Sequence, residues 1–165
     1  EASKDAIEFG KENFQDQINF IHGTIANNHI IDDKKFENYF DLIIIDDVFD
    51  WVSRETIFQS ITNIDNLLKE GGYIFIRDFY PDKNTKNQNH HVKDGSVYNF
   101  KVKNSHAEIF LTSGMYEIEW QKIFFDKIGI STSYKSDNIF NYRWIDVILK
   151  KSYSEFFSES KQIKR

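Results

Sequence analysis

The sequence predicts an α/β domain whose sheet is mostly parallel and closes with an antiparallel strand pair at the carboxyl end. Three observations carry this prediction. Leu42 to Ile45 is an unbroken apolar run, as expected of a parallel strand covered on both faces. Ile57, Phe58, Ile61, Ile64, Leu67 and Leu68 then recur at helical spacing on one stripe. After the Gly71-Gly72 pair, Tyr73 to Phe79 returns as a second apolar strand. Strand, helix and strand in that order make one βαβ unit.

Within the unit, Asp46 and Asp47 leave the first strand at its carboxyl end, where open α/β sheets bind their ligands. Ser53 is placed to cap the helix, with Glu55 in its first turn where the dipole favours an acid. Asp47 or Asp50 suits the capping role equally well. Lys69 falls in the last turn, and Gly71 or Gly72 supplies a left-handed stop. Asp78 lies near the carboxyl end of the second strand.

Tyr80 to Asn104 follows as a long polar segment carrying Pro81, His90, His91 and the turn signal Asp94-Gly95. Val97 to Val102 is expected to form a short strand after that turn. Ser105 to Ser113 reads as a short helix with Ile109 and Phe110 inward, stopped by Gly114. Tyr116, Ile118 and Trp120 alternate with Glu117, Glu119 and Gln121, the pattern of a half-buried strand. Trp144 to Leu149 is expected to pair antiparallel with it, and residues 152–165 to form a polar tail.

Composition narrows the function classes. The 165 residues are enough for one domain, and 16 Phe, 8 Tyr and 3 Trp supply the mass of a core. A net charge of −5 without basic blocks argues against nucleic acid as a partner. No apolar run approaches the roughly 20 residues needed to span a bilayer, so no membrane role is expected. The absence of cysteine rules out a disulfide scaffold and fits a cytoplasmic protein.

Several of these residues together carry a resemblance. Phe40-Asp41-Leu42 enters the first strand, Asp46-Asp47 leaves it, and Leu67-Leu68-Lys69-Glu70-Gly71-Gly72 precedes the next. This resembles the fourth strand, following helix and fifth strand of class I S-adenosylmethionine-dependent methyltransferases, whose frequent LLKPGG string has its proline replaced here by Glu70. Upstream, Glu1-Ala2-Ser3 and a helix with Ala6, Ile7 and Phe9 look like the end of the family's second strand and its helix. Ile18 to Ile21 looks like the third strand, and the closing pair like the sixth and seventh. The resemblance implies a partial Rossmann-like methyltransferase sheet over residues 1–151, lacking the first strand and the glycine-rich loop. No G-x-G occurs in the sequence, and the chain is expected to be the carboxyl-terminal portion of a longer polypeptide. In the family order 3-2-1-4-5-7-6, that gap leaves unpaired strand edges open to self-association or to a partner chain. Residues 18–22 are then expected to pair in a way the family does not, or to face a gap filled by another segment.

The same resemblance implies the site. S-adenosyl-L-methionine would be the methyl donor and a small molecule the acceptor, with weak or absent cofactor binding by this chain alone. Glu1 matches the acid that holds the ribose hydroxyls. Thr24 and Ile25 stand where the adenine is contacted, although Thr24 replaces the usual acid. Asp46 and Asp47 would face the sulfonium and the acceptor, with Asp46 orienting the latter. Trp51 would stack on the adenine or wall the substrate pocket. His90 and His91 are the candidates for a general base that frees the acceptor lone pair. Asp46, Asp47, Asp78 and His90 are plausible ligands of a hard cation at the ends of two neighbouring strands. Asp78 is followed by Phe79 rather than the asparagine of metal-dependent relatives, so no metal is expected. The rival reading is a non-catalytic, methyltransferase-like interaction module.

Overall fold

The computed structural model describes residues 1–27, 30, 33–88, 98–125 and 143–152. Helix α1 (Lys4–Phe14) opens the chain, with the Ser3 hydroxyl accepting the Ala6 N–H and Asp5 in the first turn. The unit read from sequence follows as β1 (Phe40–Asp46), α2 (Ile57–Leu67) and β2 (Leu68–Phe79). Next come β3 (Thr85–Gln88), β4 (Tyr98–Lys101), α3 (Ala107–Thr112), β5 (Tyr116–Phe125) and β6 (Arg143–Lys151). The main sheet has the order β1-β2-β6-β5; β1 and β2 are parallel, and β6 runs antiparallel to both of its neighbours. The expected antiparallel closing pair is therefore present, and β3 and β4 form a separate antiparallel ribbon in which β4 falls on the short strand expected over Val97 to Val102. No helix among the described residues is long and apolar enough to cross a membrane.

The core lies on one face of this sheet. Ile45, Ile74, Ile76, Ile145, Val147 and Leu149 share that face, and Ile64, Leu68, Phe49, Ala107 and Phe110 from the flanking elements close over it. Each large aliphatic side chain so buried contributes about 1.5–3 kcal/mol.

Several local expectations are corrected. β1 is covered on one face only: Ile45 is buried, whereas Leu42 and Ile44 are 52 % and 65 % exposed. β1 is the terminal strand of the sheet, and the core elements pack against the opposite face. Ser53 does not cap α2. Its hydroxyl lies 2.8 Å from Thr56 Oγ1 and its carbonyl accepts the Thr56 N–H, which closes a separate turn containing Glu55 before the helix starts at Ile57. Of the expected stripe, Ile64 and Leu68 are in the core and Ile57 and Ile61 pack against it, whereas Phe58 is 70 % exposed and Ser60 and Asn63 are buried in addition.

The helix also stops earlier than the glycines imply. Leu68 is already extended, and the buried Lys151 Nζ donates to the carbonyls of Asp65 (2.7 Å) and Leu68 (3.1 Å). Lys151 shares the end of the helix with the backbone N–H groups of Asn38 and Tyr39, which donate to the Asn66 (2.8 Å) and Leu67 (3.0 Å) carbonyls, so the terminal carbonyls are satisfied without a glycine cap. Gly71 takes φ +76° inside β2, where pairing with β1 jumps from Phe40–Leu68 to Leu42–Tyr73. The glycines serve a bulge, and Lys69 pairs with Asp41 at 2.7 Å beside it.

The strand expected over Ile18–Ile21 is absent. In its place the Glu1 backbone nitrogen donates to the Ile21 carbonyl (2.9 Å), and the Glu1 carbonyl accepts the Gly23 N–H (3.0 Å). Those two bonds have the pattern of one rung of a parallel ladder. Among the β5 residues whose burial is described, only Tyr116 is buried. A register shift between Ile118 and Trp120 breaks the alternation, and both side chains are exposed at this sheet edge.

Candidate functional site

The carboxyl end of β1 is shaped by a backbone reversal. Asp47 has φ +52°, and its N–H donates to the Arg77 carbonyl at 3.0 Å. A non-glycine residue in the left-handed region is a strained position of the kind that accumulates at functional sites. The reversal separates the two adjacent acids. Asp46 stays on the open face of the sheet, 4.0 Å from an Arg77 guanidinium that is held in a two-pronged bond to Asp146 (2.7 and 2.8 Å). Asp47 turns to the other side and continues into the one-turn helix Phe49–Trp51.

On that side lies a cavity of about 1000 Å³. Glu1, Thr24, Ile25, Asp47 and Trp51 line it, with apolar walls from Leu42, Ile43, Val48 and Val52. Five of the six residues assigned to the cofactor by resemblance therefore meet around one space. Asp46, the sixth and also the assigned orienting acid, does not line it. His90 and His91 lie outside the described residues. Asn63, which sequence reasoning passed over, holds the wall in place: its side-chain amide donates to the carbonyls of Ile25 (3.1 Å) and Ala26 (3.0 Å).

Behind Asp47 is a buried polar cluster that the sequence did not announce. Asp78 Oδ1 accepts its neighbour's N–H from Phe79, and Oδ2 accepts the His106 backbone N–H (2.9 Å) and lies 2.7 Å from His106 Nδ1. Asp50 sits in the same cluster. Burial, reinforced by the charge of Asp78, pushes its carboxyl up to about 8. Burial also raises Asp47, against a hydrogen bond from the Trp51 side chain that lowers it. Lys101 from β4 is the nearby cation; burial lowers its pKa while Asp50, Asp47 and Asp78 pull it back up. In the sequence, Asp78 stands out at a strand end, but nothing there joins it to Asp50 or His106.

The cavity combines polar groups with apolar surface. It offers carboxylates at Glu1 and Asp47, a hydroxyl at Thr24, and flat or branched apolar surface at Trp51 and Ile25. One Glu1 oxygen already accepts the Ser3 N–H (2.8 Å), which leaves the other for a ligand hydroxyl.

No family model matches the chain, and no curated protein matches it. Among solved structures it is similar to an S-adenosylmethionine-dependent methyltransferase from Mesorhizobium loti, with 12 % identity, 92 % of this chain and 78 % of that one covered, and a TM-score of 0.62. A Leishmania major S-adenosylmethionine-dependent methyltransferase gives 16 % identity, 91 % and 53 % coverage, and a TM-score of 0.61. The Burkholderia thailandensis 1,6-didemethyltoxoflavin-N1-methyltransferase, solved with 1,6-didemethyltoxoflavin and S-adenosylhomocysteine, gives 10 % identity, 90 % and 57 % coverage, and a TM-score of 0.59. The chain thus spans little more than half the length of two of these proteins. The order β1-β2-β6-β5 with an antiparallel β6 reproduces the 4-5-7-6 half of the sheet named in the sequence reading. By sheet order and by these similarities, the chain has the fold of class I S-adenosylmethionine-dependent methyltransferases.

Proposed function

We propose that this chain forms the larger part of a domain that transfers a methyl group from S-adenosyl-L-methionine to a small-molecule acceptor. The observation that carries the reading is the meeting of Glu1, Thr24, Ile25, Asp47 and Trp51 around one cavity at the carboxyl end of β1. Glu1 would hold the ribose hydroxyls through its second oxygen, Trp51 and Ile25 would flank the adenine, and Asp47 would face the positive end of the cofactor. When bound, the cofactor supplies an electrophilic methyl group. The chain's own part is to orient the acceptor and exclude water from it. His90 and His91 remain the candidates for taking the acceptor's proton.

Calorimetric titration with S-adenosylmethionine and S-adenosylhomocysteine tests this, on this chain and on a form extended upstream. Binding that is lost in Trp51→Ala supports the reading, and binding only by the extended form assigns the missing contacts to the upstream segment. Binding by neither form overturns it. The open β1 edge with exposed Leu42 and Ile44 favours one second reading, an interaction module that pairs through that edge. A failed titration together with concentration-dependent self-association, abolished by Ile44→Lys, would select it.

A further inference from the structure

We infer that Asp50, Asp78 and His106 form a binding site for one divalent metal ion. One donor atom from each of the three lies within 4.8 Å of the other two, and all three side chains are buried. Metal–ligand bonds of about 2.1 Å place donors at most about 4.2 Å apart, so a common ion needs only a small contraction of this group.

The second observation is Asp50 itself. Its residue is 1 % exposed, it is directed into the cluster, and neither of its carboxylate oxygens accepts an N–H or hydroxyl hydrogen; it faces the Asp78 carboxylate, another acid. A buried carboxylate normally accepts several hydrogen bonds or faces a cation. Its neighbours are already committed. Asp78 receives the Phe79 and His106 backbone N–H groups, and the His106 ring is fixed against Asp78 Oδ2. The nearby ammonium, Lys101 Nζ, lies 2.9 Å over the centroid of the Phe79 ring and makes no ion pair with any of these acids.

With both carboxylates ionised, Asp50 and Asp78 supply two negative charges, which one divalent ion balances. Two carboxylates with one imidazole nitrogen favour Mn²⁺, Fe²⁺ or Zn²⁺ over Ca²⁺. The donors differ from the set weighed from the sequence: Asp46 is on the other face, and Asp50 and His106 take part. The inference stands apart from the methyl-transfer reading, since it concerns groups behind the cavity wall and its test needs no cofactor.

The test uses the protein dialysed against a chelator and then titrated with MnCl₂ and, separately, ZnCl₂. We expect one Mn²⁺ per chain, a rise in Tm on addition, and the coupling of one imidazole nitrogen in pulsed electron paramagnetic resonance. Asp50→Asn keeps the shape of the side chain and removes its charge; it should weaken Mn²⁺ binding roughly 10-fold or more while the circular dichroism is unchanged. His106→Gln should remove the nitrogen coupling. An unchanged Tm with both metals, or Mn²⁺ binding by Asp50→Asn equal to the parent's, would overturn the inference, because the ion would then sit on surface acids or nowhere.

Discussion

The junction of α2, β5 and β6 depends on a buried ion pair, and Asp65→Ala is the substitution that exposes its worth. The Lys151 side chain is 5 % exposed, and its Nζ lies 3.1 Å from Asp65 Oδ1 in addition to its two carbonyl bonds. Tyr116 donates its hydroxyl to the same carboxylate oxygen at 2.7 Å, and burial together with Asp65 raises the phenol's pKa above its ordinary value. Asp65→Ala removes the counter-charge of a buried ammonium and leaves a phenol without its acceptor. Breaking such a pair from one side costs about 3–5 kcal/mol, within which the stranded hydroxyl accounts for about 1–3 kcal/mol. Asp65→Asn keeps an acceptor for Tyr116 and should cost about half as much. Domains of this size hold about 5–15 kcal/mol in total, so Asp65→Ala should shift the urea midpoint far toward zero with the slope unchanged. The double variant Asp65→Asn/Lys151→Met removes both charges and should be more stable than Asp65→Ala. A loss below about 1 kcal/mol for Asp65→Ala, the value of an exposed pair, would refute this account of the junction.

Other outcomes follow from single features. At Gly71 no atom lies within 4 Å of an added Cβ, so Gly71→Val should cost about 1–2 kcal/mol from backbone alone and Gly71→Asn only a fraction of it, read by chemical denaturation. Gly10 is closed by a side chain instead: a Cβ there would stand 2.6 Å from the Phe20 ring, and Gly10→Val should cost about 1–3 kcal/mol by displacing it. Arg77→Lys gives up the two-pronged bond to Asp146 on a partly exposed face, so thermal scans should show a change below about 1 kcal/mol that shrinks further in high salt. Asn63→Ala should loosen the Ile25–Ala26 wall, lowering any S-adenosylhomocysteine affinity while α2 remains helical by circular dichroism.

The βαβ unit was legible because apolar spacing reports which faces are buried over a dozen residues. It does not report what covers them, so Leu42 to Ile45 read as enclosed on both sides although Leu42 and Ile44 face outward. Local rules also misassigned the ends of α2. Ser53 was used by the four-residue turn Ser53–Thr56, and the carbonyls at the helix end are served by Asn38, Tyr39 and Lys151, all remote in sequence. The cavity residues were reached through family resemblance, with one error of parity: adjacent strand residues point to opposite faces, and the reversal at Asp47 decided which acid entered. The Asp50, Asp78 and His106 cluster had no local signature. Asp78 and His106 are 28 residues apart and meet only because α3 packs at the end of β2.

β6 follows every other strand in sequence yet lies between β2 and β5. During synthesis, the βαβ unit and β5 therefore emerge before the strand that joins them, and the Ile74–Ile76 row waits without its Val147 and Leu149 neighbours. The nascent chain carries an unmated hydrophobic strand while the residues between β2 and β6 are made, a state that attracts chaperones and is prone to aggregate. Assembly of the sheet is thus a late event, and a premature stop before residue 143 would leave the β1–β2 pair and β5 in one truncated chain without the strand that joins them.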